Sequence, residues 1–485
     1  MPHHRSRKLC LVSALLCTAA LAPAPQPRAM PPMRLGYEDI DLGGLPDIRA
    51  VNGVLETTLV AAPQTVSLDG ASFPGAAFNG VYAGPVLRLH AGDLLRIHLV
   101  NHMPDNINLH FHGLRVRPTG HGDNMHVQIP PGETYLYELR IPPNHPPGLF
   151  WYHDHAHNAA EPHVMAGLSG ALLIEGFARQ FQTLGATPQK LLVLKDWVRP
   201  RCDDPVLRTQ LHCHALSING QAAWQVSMRP HETQLWRISS QSANLIIHLT
   251  LPGLHMRLIG SDGLPATQGT DLTALDILPA SRADVLISAD DAGSFPILAT
   301  HVPTGGGTSF TTNRALGTVH VTGPDAARAE APVFPRQTDL RQFHPDALRT
   351  ITFAENADAT IFTVDGKTFD PERVDLRVPL GHIETWTIRN TTNDFHEFHI
   401  HQLGFQVIEI NGVAQDFAGY VDDVTVPEMG SIKVIIPFTD PNIVGHFMYH
   451  CHVLKHEDHG MMANIEVFWP GDRRGAAPVC RPRAP

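Results

Sequence analysis

Apolar and polar residues alternate along this chain in short runs, and one order of runs recurs three times. Asn79-Gly80 leads through Pro85-Val-Leu-Arg-Leu to Leu95-Arg-Ile-His-Leu-Val-Asn101. Asn219-Gly220 leads through Val226-Ser-Met-Arg-Pro to Leu235-Trp-Arg-Ile-Ser-Ser240, and Asp365-Gly366 through Val374-Asp-Leu-Arg-Val-Pro379 to Glu384-Thr-Trp-Thr-Ile-Arg-Asn390. Period-two alternation marks strands with one buried face, so each turn with its two runs predicts paired strands, and the recurrence predicts three similar units. Helical periodicity is confined to short pieces.

Composition agrees with that pattern. With 41 Pro and 39 Gly in 485 residues, the chain reads as all-β, built of sandwich or barrel units. Breaks fall near 178–188 and in the Ala, Pro and charge-rich stretch from Gly323 to His344. The expected domains are therefore 45–178, 188–322 and 346–470, with a linker over 323–345 and a loosely ordered tail over 471–485.

Residues 1–28 read as an export signal, because Arg5, Arg7 and Lys8 precede the apolar run Leu9–Leu21, which is too short to span a bilayer. Ser6-Arg7-Lys8 is a near miss for a twin-arginine signal and leaves the export route open. A periplasmic or secreted chain without a membrane span is expected. Its net charge of −11 falls to about −14 without those three cations, which argues against nucleic acid or anionic membrane as partners. Removing the signal also removes Cys10 and Cys17. Cys202, Cys213, Cys451 and Cys480 remain, and in an oxidising compartment Cys202 with Cys213 is the local candidate for a disulfide.

The densest chemistry lies in Gly445-His-Phe-Met-Tyr-His-Cys-His-Val-Leu-Lys-His-Glu-Asp-His-Gly-Met461. Cys451, His456 and Met461 supply thiolate, imidazole and thioether; a second imidazole would complete the ligand set of a blue electron-transfer copper. On a strand, His450 and His452 face away from Cys451 and can hold other ions. His-x-His alone is weak: 31 His in 485 residues give roughly two such pairs by chance. Six occur. One, His212-Cys213-His214, copies the triplet, but Ile218 and Ala223 stand where His456 and Met461 should follow.

Further pairs are His110-Phe-His112 and His153-Asp-His155 in the first unit, with His396-Glu-Phe-His399-Ile-His401 in the third. With these motifs in this order, the mature chain resembles the three-domain, laccase-like multicopper oxidases over essentially its whole length. The resemblance implies three cupredoxin-like Greek-key domains and four copper ions: one type 1, one type 2 and two type 3. His396, Cys451, His456 and axial Met461 match the type 1 site. His110 and His399 match the type 2 ligands, and His112, His153, His155, His401, His450 and His452 the type 3 ligands. First and third units would then dock to complete a trinuclear cluster, with the second as spacer and scaffold. A two-domain nitrite reductase, which lacks that set, does not fit.

What the resemblance implies for function is one-electron oxidation of phenolic or aromatic donors coupled to four-electron reduction of O2 to water, by a chain expected to be a monomer. Glu457 and Asp123 match its proton-relay positions. Glu397 stands where many relatives have Pro and is expected to point into water; Asp422 and Asp423 match a region near the type 1 site and are candidates for holding a phenol or a cation. His145, His157, His163 and His459 read as supporting or surface groups, and His248 and His255 as structural. The alternatives are a cuprous, ferrous or manganous oxidase in copper tolerance, and a non-enzymatic periplasmic copper-binding protein. The 12 Met are scattered along the chain and lend the cuprous reading no support.

Overall fold

A computed structural model describes residues 36–68, 71–198, 214–301 and 314–471. Apart from short helical pieces such as Ala160–Ala166 and Leu454–Asp458, the regular structure is strand. Six sheets pair into three sandwiches, each around its own core. In the first, the sheet containing Val54–Leu68 and Leu94–Asn101 faces the one containing Gly148–His153 and His110–His112. The second encloses Trp224, Trp236, Ile238 and Val285; the third encloses Trp386, Phe398, Tyr449 and Cys451.

The repeated turn has one geometry in all three sandwiches. Asn79-Gly80, Asn219-Gly220 and Asp365-Gly366 all have positive φ, between 51° and 74°, as a two-residue type I′ hairpin turn requires. Each Asn or Asp side chain also accepts the backbone N–H of Val60, Val193 or Thr352, at 2.7 Å in every case.

The two runs after each turn do not pair with each other as the alternation suggested. Val86–Leu89 pairs with Ser169–Ile174, whereas Leu94–Asn101 pairs with Val54–Leu68 and Thr134–Arg140. Trp224–Met228 and Thr233–Ser240 are separated in the same way, as are Leu376–Pro379 and His382–Asn390. Each repeat crosses from one sheet of its sandwich to the other. Alternation reports a buried face but carries no information about which strand supplies the hydrogen bonds.

Residues 324–339 contain neither strand nor helix; they run along the second sandwich, where Gln337 donates to Pro265 O and Phe334 packs edge-on to Phe181. The export segment, its Cys10 and Cys17, the tail beyond Gly471, and Cys202, Cys213 and Cys480 with their expected pairing all lie outside the described residues. So do His212 and Cys213 of the copied triplet. No helix among the described residues is long and apolar enough to cross a membrane.

Lys195 is fully buried in strand Gln189–Val198, donating to Ser169 Oγ at 2.5 Å and lying 5.1 Å from the Tyr82 ring centre. Burial pulls its ammonium down to about 7, against about 10.4 for a free lysine. The unfolded chain therefore binds this proton at a higher pH than the folded one, and stability falls as pH drops from about 10 to about 7. Lys195→Met should gain stability relative to the native chain over that interval in denaturant titrations; a pH-independent difference would contradict the assignment.

Candidate metal centres

Strand Gly445–Cys451 runs through the third sandwich with Phe447, Tyr449 and Cys451 turned into its core. The thiol meets two imidazoles there. Cys451 Sγ lies 3.7 Å from His396 Nδ1 and 3.6 Å from His456 Nδ1, and the two nitrogens are 3.1 Å apart. His396 Nε2 is 3.0 Å from Thr392 Oγ1, a partner that holds the ring proton on Nε2 and leaves Nδ1 bare toward the sulfur. Burial pushes the Cys451 thiol well up, opposed by the Glu397 N–H at 3.3 Å; a thiolate here calls for a bound cation. Met461 is fully buried, and its carbonyl accepts the Cys451 N–H.

Eight imidazoles gather on the opposite side of that strand. Their donor atoms fall into three groups, each within 4.8 Å and the first two sharing His112: His110, His112 and His399; His112, His153 and His452; and His155, His401 and His450. His110–His112 comes from an edge of the first sandwich and His396–Ile400 from the third. His110 stacks on His401 at 3.8 Å and His112 on His399 at 3.9 Å between ring centres. All eight are fully buried. Burial, followed for most of them by the neighbouring imidazoles, holds them below the usual range, so they are neutral.

The donor atoms have the arrangement a metal needs. His110 Nε2, His112 Nδ1, His153 Nε2 and His399 Nε2 are buried without any hydrogen-bond partner. Their opposite nitrogens are held: His110 Nδ1 by Asp123, His112 Nε2 by Asp422, His153 Nδ1 by Asp154 O and His399 Nδ1 by Asp422 O. His401 Nε2 and His450 Nε2 face each other at 2.9 Å. Unpaired polar atoms are costly in a dry interior, and bare imidazole nitrogens backed by a second hydrogen bond fit copper or zinc. The buried thiol and thioether favour copper.

Asp123 accepts the Phe111 N–H and Gln402 Nε2, at 3.0 and 2.6 Å, and burial raises its carboxyl to about 7. Glu457 lies 3.5 Å from His155 Nε2 and 3.0 Å from His450 Nδ1, and burial raises it likewise to about 7. It also lines a cavity of about 350 Å³ with His157, Phe369, Asp458 and Met462.

Three expectations change. Glu397 does not point into water: it is fully buried, with both carboxyl oxygens unpartnered, on the same face of its strand as His399. Asp422 and Asp423 are also buried and lie on the eight-imidazole side, where Asp422 holds His112 and Asp423 accepts from Ser281. The second sandwich serves as scaffold here, since its Arg282 donates to Asp422 Oδ1 at 2.9 Å and Oδ2 at 2.5 Å. And Met125, Met448 and Met462, scattered in sequence, meet in one buried cluster. His163 bonds Asp154 at 2.8 Å, while His248 and His255 form exposed pairs with Asp276 and Asp290. Gly113 has φ +82°, and a Cβ there would fall 2.7 Å from Asp422 Oδ2 and 2.9 Å from Arg282 Nη2.

Three family models, each described as multicopper oxidase, match residues 60–178, 150–324 and 341–468. The chain is similar to multicopper oxidase mco of Staphylococcus haemolyticus, 23% identical over 430 residues, covering 86% of this chain and 89% of that one. A Campylobacter jejuni multicopper oxidase described as a metallo-oxidase has the same fold: TM-score 0.75, 24% identity, with 89% of this chain and 96% of that chain covered. So does a laccase-like multicopper oxidase, CueO, from an Ochrobactrum species: TM-score 0.72, 24% identity, 87% and 99% covered. The cupredoxin-like fold expected from the sequence is the one these structures share.

Removing Arg282 would strand Asp422 as an uncompensated buried carboxylate, which costs about 3–5 kcal/mol. Arg282→Met should lose stability of that order in denaturant unfolding; a change below about 1 kcal/mol would mean the pair is solvated.

Proposed function

The chain belongs to the multicopper oxidases, copper oxidoreductases that use O2, and from that premise we propose that it works as a laccase-type oxidase of phenolic or aromatic donors outside the cytoplasm. The observation that carries this reading is the placement of Cys451, with its thiol among His396 and His456 and its two neighbours among the eight imidazoles. In this reading His396, Cys451, His456 and Met461 would hold the type 1 copper. His110 and His399 hold type 2, while His112, His153 and His452, and His155, His401 and His450, hold the type 3 pair. Copper so held supplies one-electron acceptance at the first site and reduction of dioxygen at the second.

The protein's own residues do the rest. Cys451 is joined by single peptide links to His450 and His452, so the connection between the sites is short and covalent. Phe362 stacks on His456 at 4.4 Å between ring centres, and Ile361 beside it is 48% exposed. That apolar edge suits an aromatic donor. Asp394 Oδ2, 3.8 Å from His456 Nε2, is placed to accept a phenolic proton. On the other side Glu457 hands protons in from its cavity toward His155 and His450, and Asp123 does so beside His110. Burial keeps both acids protonatable near neutral pH.

A second reading, oxidation of a reducing cation, is favoured by one observation: Glu355 lies close enough to Asp394 for its carboxyl to be raised, first by burial and then by that neighbour. Rates on a phenol and on Cu(I), Fe(II) and Mn(II), with Cys451→Ser as control, separate the two. A preference for the metal ions would overturn the laccase reading, and copper binding without O2 uptake would make the protein a carrier.

Glu457→Gln and Asp123→Asn should each slow reoxidation by O2 at least ~10-fold while the blue absorption of the Cys451 site stays intact. Stopped-flow reoxidation of the reduced protein checks this, and unchanged rates would remove the relay role.

A further inference from the structure

Strand alternation continues outward from the eight-imidazole centre. His446, Met448 and His450 share one face of Gly445–Cys451, opposite Phe447, Tyr449 and Cys451 in the core, as period two requires. Across the ladder His450 is paired with Met462 and His446 with Glu466. Met125 of the first sandwich closes over this face, and Met125, Met448 and Met462 form one buried cluster with Phe369 packed on it.

Imidazoles flank the thioethers. His126 directly follows Met125, and burial holds its imidazole below the usual range. His157 meets Phe369 edge-on at 4.8 Å and lines the same cavity as Met462 and Glu457. The Nε2 atoms of His126 and His157 are both buried without a partner. The outermost group, His446, has a 20% exposed side chain. From the surface inward, His446, Met448 and His450 therefore follow one another along one face of this strand.

Three thioethers with the two bare imidazole nitrogens beside them are a soft donor set that suits a monovalent copper ion; the carboxylates Glu457 and Asp458 line the same cavity as His157 and Met462. We propose that Met125, Met448 and Met462, flanked by His126 and His157, form a transit site for Cu(I) through which copper reaches the eight-imidazole centre. Copper moves along it by ligand exchange, with no change of oxidation state. Thioethers bind without deprotonation, so uptake of Cu(I) releases no proton into the dry interior. The proposal rests on His450 being a cluster ligand.

Met to Leu conserves volume, so Met125→Leu/Met448→Leu tests the sulfurs without emptying the core. Full-length, copper-loaded protein, reduced under argon, is titrated with Cu(I) against a colorimetric Cu(I) chelator. The native chain should take up about one Cu(I) that the double variant binds at least tenfold more weakly. Copper-free protein should refill its centres at least threefold more slowly in the variant, yet reach the same final copper content and kcat. Equal Cu(I) uptake and equal refilling rates would overturn the proposal and leave the methionines as packing. If native protein never fills the eight-imidazole centre, the ligand assignment fails first, and the transit role with it. Should the double variant not fold, each single Met to Leu variant gives the same readings.

Discussion

The structure turns on the alternation of one strand. Because successive side chains of Gly445–Cys451 point to opposite faces, Cys451 enters the third core while His450 and His452 leave it toward the first sandwich. A one-residue slip would send the thiol to the imidazoles and the imidazoles to the core. The register is held by pairing on both sides, Phe398 to Cys451 and His450 to Met462. The eight-imidazole side exists only where two sandwiches meet, so the same strand is also where they dock.

That docking has an unusual energetic character. Beside the apolar contact of Met125 with Met448 and Met462, the interface buries rings whose bare nitrogens have no protein partner, a cost that metal binding offsets. Around them stands a polar frame drawn from all three sandwiches: Asp123 from the first, Arg282 from the second, Asp422 and Gln402 from the third. Each group fixes a nitrogen or a carboxylate that fixes one. Gly113, next to His112, leaves room for the Asp422–Arg282 pair.

Much of this was legible in the sequence, for local reasons. His-x-His on a strand and the Cys, His and Met spacing are short-range patterns, and the residues they mark are brought together. The three turns were legible because two successive residues at φ > 0 favour Asn or Asp followed by Gly. Strand partners were not, since alternation records burial and nothing else. Arg282 could not be found either: it lies 140 residues from Asp422, in a stretch with no motif. The burial of Glu397 and the meeting of Met125, Met448 and Met462 were hidden for the same reason, being products of docking between distant segments.

The central claim is that one strand serves two copper centres. Anomalous scattering from crystals of the copper-loaded protein, recorded at the copper edge, tests it most directly. The account predicts one peak among His396, Cys451 and His456 and three among the eight imidazoles. A peak set that omits Cys451, or that leaves the interface between first and third sandwiches empty, would contradict it.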